Sequence, residues 1–177
     1  MEQQMTGQEK SRRGALRPDG QRRALAVVAS TRAASGVYED RTGPTLLAWF
    51  TSRSWEGRVV VVADGDAIGE AIAEAIDAGD DLVVTTGGTG VSPSDVTPEQ
   101  TAPLLERSLP GLAEAIRARG AAHVPTAVLS RGLAGVSRRS VIVNLPGSPG
   151  GVREGIEVLD PVIGHVFNQL AGGDHAD

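Results

Sequence analysis

The feature that most constrains the fold is a regular alternation of short apolar segments with longer amphipathic ones, which begins at Ala24. Runs such as "ALAVVAS" and "RVVVVA" are rich in β-branched residues and almost wholly apolar, as expected of strands buried on both faces. The segment "DAIGEAIAEAIDAG" places isoleucine at every fourth position, which is typical of an amphipathic helix. This order predicts one α/β domain, a three-layer α/β/α sandwich with a mostly parallel sheet.

The alternation assigns most of the chain to strands and helices. Pro44 and Pro98 suit the first turn of a helix, because no amide proton is needed there. Thr97 and Gln100 have the spacing of a capping box, and Asp66 is placed to cap the helix that follows it. The predicted strands are 24–30, 58–63, 81–86, 124–130 and 140–145. The predicted helices are 43–55, 66–79, 97–108, 110–120, 148–159 and 160–170. Both tryptophans lie in or beside the first helix, where we expect them to pack.

The two ends of the chain differ from the predicted domain at 24–171. Residues 1–23 contain six basic and three acidic residues, although the whole chain has a formal net charge of −5. Such a segment is typical of a disordered tail, and 172–177 forms a second, loose tail. An acidic chain is a poor candidate for nucleic-acid binding, while a basic arm that contacts nucleic acid or a partner stays an alternative for 1–23.

The composition excludes several classes of chemistry. Because the chain has no cysteine, it forms no disulfide or thiolate metal site and has no cysteine nucleophile. The single lysine, Lys10, lies in the N-terminal tail, so a lysine-containing P-loop is ruled out. The segment "GGTGVS" does not fit the dinucleotide fingerprint, which argues against a nicotinamide oxidoreductase. Without a membrane span or a signal peptide, we expect a cytoplasmic protein.

Four polar or glycine-rich segments follow strands that we expect to be parallel. They are 30–32, 63–66, 85–95 and 144–151. In open α/β sheets ligands bind beyond the carboxyl ends of the strands, and nearby helix N-termini favour phosphate groups. Asp64 and Asp95 lie in two of these segments, and carboxylates beside phosphate-binding loops commonly hold Mg²⁺. The sequence therefore predicts a site for a nucleotide or a phosphorylated small molecule.

Each of these elements also has a purely structural interpretation. The glycines at 87–90 suit a tight turn, and Asp95 suits an Asx turn two residues before Thr97. Asp64 suits the start of the next turn, and "GSPGG" suits a helix cap followed by flexible glycine. Their common position at one edge of a sheet is what favours ligand binding.

Two of the segments, "TTGGTGVSPSDVTPE" and "NLPGSPGG", resemble the molybdopterin adenylyltransferases of molybdenum cofactor biosynthesis, which are akin to the N-terminal domain of gephyrin. The segments "SGVYEDRTGP", "ADGDAIGEAI" and "VPTAVLSRGLAGV" extend the resemblance over roughly 24–171. It implies a three-layer α/β fold, a homotrimer, and adenylation of molybdopterin by ATP and Mg²⁺ with release of pyrophosphate. It also implies handover of the product to a molybdenum-insertion protein.

The resemblance assigns roles to individual residues. Asp64 and Asp95 match the catalytic aspartates of the family, which are implied to hold Mg²⁺. Ser94 departs from the family, because many members carry arginine there, so another arginine is expected to contact phosphate. Substrate and nucleotide contacts are implied for Ser30, Arg32, Gly87, Gly88, Thr89, Gly90, Ser130, Arg131, Pro146, Gly147 and Ser148.

Two other functions stay open at this point. A protein of the same fold can bind molybdopterin and hand it over without nucleotide transfer, although the pair of aspartates favours the enzyme. A different pterin- or nucleotide-active enzyme of this fold, such as the competence-damage-protein type, is the second alternative. The metal-insertion type would need further domains, for which 177 residues are too few.

Overall fold

The computed structural model describes Arg17 and residues 21–172, and the structural statements below refer to these residues. The tails predicted at 1–23 and 172–177 lie mostly outside this part of the chain, so their disorder stays a prediction. Arg22 is buried and Arg23 opens the first strand, one residue before the predicted start of the domain. No helix of the described part is long and apolar enough to cross a membrane.

A single sheet of six strands forms the middle layer. Its strands are β1 (Arg23–Ala29), β2 (Glu56–Val62), β3 (Leu82–Thr86), β4 (Arg107–Ser108), β5 (Ala134–Ser137) and β6 (Ser140–Leu145). Their order across the sheet is β2-β1-β3-β6-β5-β4. The first four strands in this order are parallel, whereas β5 and β4 join antiparallel at one side. The predicted mostly parallel sheet is confirmed.

Helices cover both faces of the sheet and complete the three layers. They are α1 (Thr31–Ala34), α2 (Gly43–Ser52), α3 (Asp66–Ala78), α4 (Thr97–Thr101), α5 (Pro110–Ala121), α6 (Pro149–Leu159) and α7 (Ile163–Leu170). α2, α5, α6 and α7 pack on the face that contains Ala24 and Ala26, and α3 packs on the face that contains Leu25 and Val27. This division follows from the alternation of side chains along a strand.

Aromatic side chains fill much of the core under α2 and α7. Phe50 and Phe167 are fully buried, and Trp49 and Trp55 are nearly so. Neighbouring rings have centroids 5.5 Å to 6.3 Å apart. Burying a side chain of this size stabilises a fold by roughly 1.5–3 kcal/mol. The prediction that both tryptophans serve packing is confirmed.

The strand predicted at 124–130 is wrong. Pro125–Leu129 forms a short 3₁₀ helix instead, and the strand β5 follows it in a segment to which no strand or helix was assigned. Val124, Val128 and Leu129 are more than half exposed, so this apolar run does not enter the sheet. β5 is buried at every position and pairs with β6. Apolar content alone does not separate an exposed 3₁₀ segment from a buried strand.

The helix predicted at 97–108 is shorter than expected. α4 ends at Thr101, and a 3₁₀ turn over Ala102–Leu104 contains Pro103, which lacks the amide proton that a longer helix would use. The capping box at its start is also wrong, because Gln100 Nε2 donates to Asp66 Oδ1 at 3.1 Å. Val96 and Gly65 hold the N-cap positions predicted for Thr97 and Asp66. The other predicted segments agree with the structure to within three residues at each end.

Candidate active site

The four loops that the sequence analysis identified lie at one edge of the sheet. The register pairs the last residues of β1 and β2, Ala29 and Val62. It also pairs Thr86 at the end of β3 with Leu145 at the end of β6. Because these strands are parallel, the loops that follow all four leave at their carboxyl ends. The expectation of one shared edge is confirmed.

Asp64 is held by the first turn of the helix that follows β1. Its Oδ2 accepts hydrogen bonds from Thr31 N at 3.0 Å and from Thr31 Oγ1 at 2.8 Å. Its Oδ1 accepts no hydrogen bond from the described residues, and a methyl group at Gly88 would lie 3.6 Å from it. One carboxylate oxygen is therefore anchored, while the other is available beside the glycine loop.

The glycine loop over residues 87–90 depends on the absence of side chains. Gly87 and Gly88 have φ values of +96° and +63°, and a Cβ at Gly87 would overlap the carbonyl oxygen of Ala29. Thr97 fastens the loop to α4, since its Oγ1 donates to Gly87 O at 2.9 Å and its N–H donates to Gly88 O at 3.0 Å. A Cβ at Gly147 would lie 3.0 Å from Gly87 Cα, so the glycine loop at 87–90 is in contact with a second glycine loop at 146–151.

Asp95 lies against the other end of the same loop. Its Oδ2 accepts from Ser92 N at 3.1 Å, and a methyl group at Gly90 would lie 2.7 Å from that oxygen. The amide of Thr97 bonds to Gly88, so the Asx turn considered for Asp95 is not formed toward Thr97. Asp64 and Asp95 thus approach one glycine loop at positions two residues apart.

Arg131, which lies shortly before β5, is bound to the same loop by several hydrogen bonds. Its Nε donates to Gly90 O at 2.7 Å, and Nη2 donates to Asp95 O at 2.5 Å. Its own backbone N–H donates to Thr89 O at 2.8 Å. The guanidinium also forms an ion pair with Glu99. Hydrogen bonding from Arg131 lowers the pKa of the Glu99 carboxyl.

Two pockets are each lined by residues of both glycine loops. A pocket of about 270 Å³ has a mainly apolar lining that includes Ile116, Ala127 and Val124. A pocket of about 140 Å³ lies over the ends of β1 and β3. Of the predicted site residues, Thr89, Gly90, Ser130, Pro146 and Ser148 line the larger pocket, and Ser30, Gly87 and Gly147 line the smaller one. The two pockets therefore share the glycine loops as a common wall.

The remaining predicted residues, Gly88, Arg32 and Arg131, do not line either of the two pockets. Gly88 lies between Asp64 and Thr97. Arg32 is exposed on α1 and lines neither of the two pockets. The side chain of Arg131 is engaged by carbonyl oxygens and Glu99, as described above, and it lines neither pocket. Their predicted contacts with phosphate stay predictions.

Sequence reasoning missed Asp40, which lines the smaller pocket. Its Oδ1 accepts from Thr42 N at 2.8 Å and from Gly43 N at 3.0 Å, so it caps the start of α2. The available signal was an acidic residue shortly before Pro44, which marks the first turn of that helix.

A buried polar network beneath the glycine loop was also missed. Asn144 Nδ2 donates to Thr85 Oγ1 at 2.9 Å and to Thr101 Oγ1 at 3.0 Å. Thr101 Oγ1 donates to Thr97 O at 2.8 Å, which connects the network to the residue that holds the loop. Thr85 and Asn144 interrupt otherwise apolar strands, and that interruption was a usable signal.

The donor set at this edge fits Mg²⁺ better than a transition metal. No group of three or more His, Cys, Asp or Glu side chains in the described part of the chain is arranged to hold a metal. Mg²⁺ needs only one or two protein carboxylates when substrate phosphates and water supply the other ligands. Asp64 and Asp95 each have an oxygen that no described residue donates to, so they are the residues that would hold it.

Comparison with known proteins gives a consistent result. Residues 25–165 match the family model MoCF_biosynth, described as a probable molybdopterin binding domain. A molybdopterin adenylyltransferase of Helicobacter pylori is 40% identical over 149 residues, which are 81% of this chain and 85% of that protein. The enzyme of the same name from Escherichia coli is 39% identical over 145 residues, 79% of this chain and 74% of that protein.

A solved structure gives the same result at the level of the fold. The molybdopterin biosynthesis Mog protein from Mycobacterium ulcerans superposes with a TM-score of 0.83 at 53% sequence identity. The superposition covers 85% of this chain and 99% of that one. The fold and its carboxyl edge define an α/β protein with two adjoining glycine loops and two carboxylates beside one of them. The chain belongs to the MoCF_biosynth family.

Proposed function

We propose that this protein is a molybdopterin adenylyltransferase, which transfers the AMP part of ATP to molybdopterin and releases pyrophosphate. The names of relatives that are about 40% identical over most of their length support this activity. The observation that carries the proposal is the placement of Asp64 and Asp95 against one glycine loop. Two phosphorylated substrates need such a site, because charge must be neutralised where they meet.

The two pockets offer room for two substrates. They share the glycine loops as a wall, so ligands in both would bring their reactive ends toward that wall. Holding two reactants in this way accounts for a large part of catalysis in group transfer. A terminal phosphate oxygen of molybdopterin would bond to the α-phosphorus of ATP, and the bond from that phosphorus to the β-phosphate oxygen would break.

The residues of the chain position groups and stabilise charge in this reaction. Glycine-loop N–H groups that face the ligands would take up charge on the transferring phosphate. The Thr31 hydrogen bonds hold one oxygen of Asp64 and leave the other toward the loop. Mg²⁺ held by Asp64 and Asp95 would neutralise phosphate charge and assist departure of pyrophosphate. A phosphate nucleophile is already ionised near neutral pH, so no general base is required.

The decisive experiment measures pyrophosphate release with purified protein, molybdopterin, ATP and Mg²⁺. Release should require all three additions, and Asp64→Asn should abolish it. Asp66→Asn is the matched control, since Asp66 lies two residues away and contacts Gln100 rather than the glycine loop. If wild type binds molybdopterin tightly but releases no pyrophosphate, the enzyme is excluded and a carrier of molybdopterin takes its place.

The assembly and location also form part of the proposal. The resemblance to the adenylyltransferases supports a homotrimer in the cytoplasm that passes its product to a molybdenum-insertion protein. Light scattering coupled to gel filtration should give a mass of three chains. A monomeric mass would exclude the trimer without affecting the proposed reaction.

A further inference from the structure

The hydrogen bonds of Arg131 suggest a role other than contact with phosphate. Its guanidinium reaches Gly90 O, Asp95 O and the carboxylate of Glu99, and its backbone N–H reaches Thr89 O. A guanidinium has five N–H groups in a planar fork, and most of them are engaged here. Little donor capacity is left for a substrate.

These contacts all converge on the segment that carries Asp95. Gly90 and Asp95 are the two ends of a loop whose middle residues, 91–94, are exposed. Within the loop, Asp95 N donates to Ser92 O at 2.9 Å, and Ser92 N donates to the Asp95 carboxylate. Apart from Thr97 next to the loop, Arg131 is the residue of the described part of the chain whose side chain donates hydrogen bonds that tie this loop to the rest of the domain.

Glu99 helps to hold the Arg131 guanidinium in this position through an ion pair. It lies on α4, lines neither pocket, and its side chain is 54% exposed. Glu99 can act on the loop through the guanidinium of Arg131, with which it forms an ion pair. The lowered pKa of Glu99 agrees with an ion pair that persists at neutral pH.

We propose that Arg131 and Glu99 form a positioning pair, which fixes the loop from Gly90 to Asp95 so that the Asp95 carboxylate faces the glycine loop. Only the expected kinetic effect of this proposal depends on the proposed adenylyltransferase activity.

The first test measures the order of the loop without reference to activity. Hydrogen–deuterium exchange of a peptide that covers 89–96 should be faster by about tenfold in Arg131→Ala and by less in Glu99→Gln, because the amides of Ser92 and Asp95 lose their support. Arg119→Ala is the matched control, since it removes the exposed ion pair of Arg119 with Glu157 on α5 and α6. Unchanged exchange of 89–96 in Arg131→Ala would overturn the proposal, whatever the activity.

The second test separates positioning from substrate binding. Arg131→Ala should lower kcat about 10- to 100-fold and Glu99→Gln about 3- to 10-fold, with KM for molybdopterin little changed, because a displaced catalytic group slows the chemical step. Arg131→Lys should recover little, since an ammonium group cannot span three acceptors. A rise in KM with kcat unchanged would make Arg131 a substrate contact and overturn the proposal.

A double-mutant cycle decides whether Arg131 acts through Asp95. In an Asp95→Asn background, Arg131→Ala should cause little further loss, because the group that it positions is already disabled. Fully additive losses would overturn the positioning role. Absence of pyrophosphate release from wild type would exclude the proposed function, and loop exchange would then decide the positioning role alone.

Discussion

Two pairs of aspartates lie at opposite ends of the sheet strands, and the pairs differ in burial and in their charged neighbours. Asp80 and Asp81 precede β3 at its amino end and are almost completely buried. Asp64 and Asp95 lie at the carboxyl edge and are only partly buried. The same residue type thus occurs in two environments within a single domain.

At the amino end, each carboxylate is neutralised by arginine. Arg58 makes a two-pronged contact with Asp80 at 3.0 Å and 2.5 Å, and Arg23 approaches it at 3.3 Å. Arg17 pairs with Asp81 at 3.1 Å. Hydrogen bonding with Asp80 raises the pKa of the Arg58 guanidinium. Buried carboxylates need such partners, because desolvation of an unpaired charge is costly.

At the carboxyl edge, hydrogen bonds orient the carboxylates without cancelling their charge. Asp64 is held by Thr31 and Asp95 by Ser92, and no arginine of the described part of the chain forms an ion pair with either. Arg131 comes close to Asp95 but bonds to its carbonyl oxygen rather than to its carboxylate. One pair of aspartates is thus neutralised by arginine within the fold, and the other pair has no arginine partner, which supports the cation site that we propose for it.

The strongest effect that we expect is on activity at the carboxyl edge. Asp95→Asn should lower kcat about 100- to 1000-fold, because a charge that stabilises the transferring phosphates is lost. The free energy of unfolding should change little, since the amide oxygen can still accept from Ser92. Pyrophosphate release and urea denaturation measure the two quantities. Loss of stability in proportion to activity would contradict the division between the two ends.

Two glycines with positive φ extend the comparison to the backbone. Gly79, at the amino end, has φ +74°, and a methyl group placed on it would meet no atom within 4 Å, so Gly79→Ala should cost about 1–2 kcal/mol in strain alone. Gly87→Ala should cost about 3 kcal/mol, because overlap with Ala29 O adds to the strain. Urea denaturation gives both values. Equal losses of stability in the two variants would show that overlap with Ala29 O adds no cost at Gly87.

Asp80→Asn tests the amino end, where we expect a loss of stability and little change in activity. It should lower the free energy of unfolding by about 2 kcal/mol, since Arg58 and Arg23 lose a charged partner but remain partly exposed. The kcat of the folded protein should stay within about twofold of wild type, because no contact reaches the glycine loop. Urea denaturation and pyrophosphate release check both. A fall in kcat as large as that for Asp95→Asn would show that the two pairs of aspartates do not differ in their effect on activity.

The weakest effect concerns Glu99, the carboxylate at the functional edge that does have an arginine partner. Because its pKa is lowered in the folded state, its contribution to stability is present above its ordinary value of about 4.5 and is lost as the pH falls further. Glu99→Gln should therefore be slightly less stable than wild type at pH 7, and this difference should shrink as the pH falls below about 4.5. Urea denaturation at a series of pH values from 7 downward measures this difference. A difference that does not shrink at acid pH would show that charge is not its origin.

The layers, the parallel strands and the common edge of the loops could all be predicted from the sequence. Strand and helix periodicity are local properties, and parallel order follows from the alternation of strands with helices. Asp64, Asp95 and the glycines at 87–90 could be identified because they interrupt this pattern directly after strands. Their chemical roles came from the resemblance to a family rather than from periodicity.

How these elements meet could be learned only from the folded domain. The segment at 124–130 has the composition of a strand, but its place on the surface makes it a 3₁₀ turn, and β5 occupies the sheet instead. The partners of the Arg131 guanidinium lie 32 to 41 residues away in the chain, and no local pattern distinguishes a guanidinium that binds carbonyl groups from one that binds phosphate. Such pairings depend on distances between loops, and packing of the whole domain sets those distances.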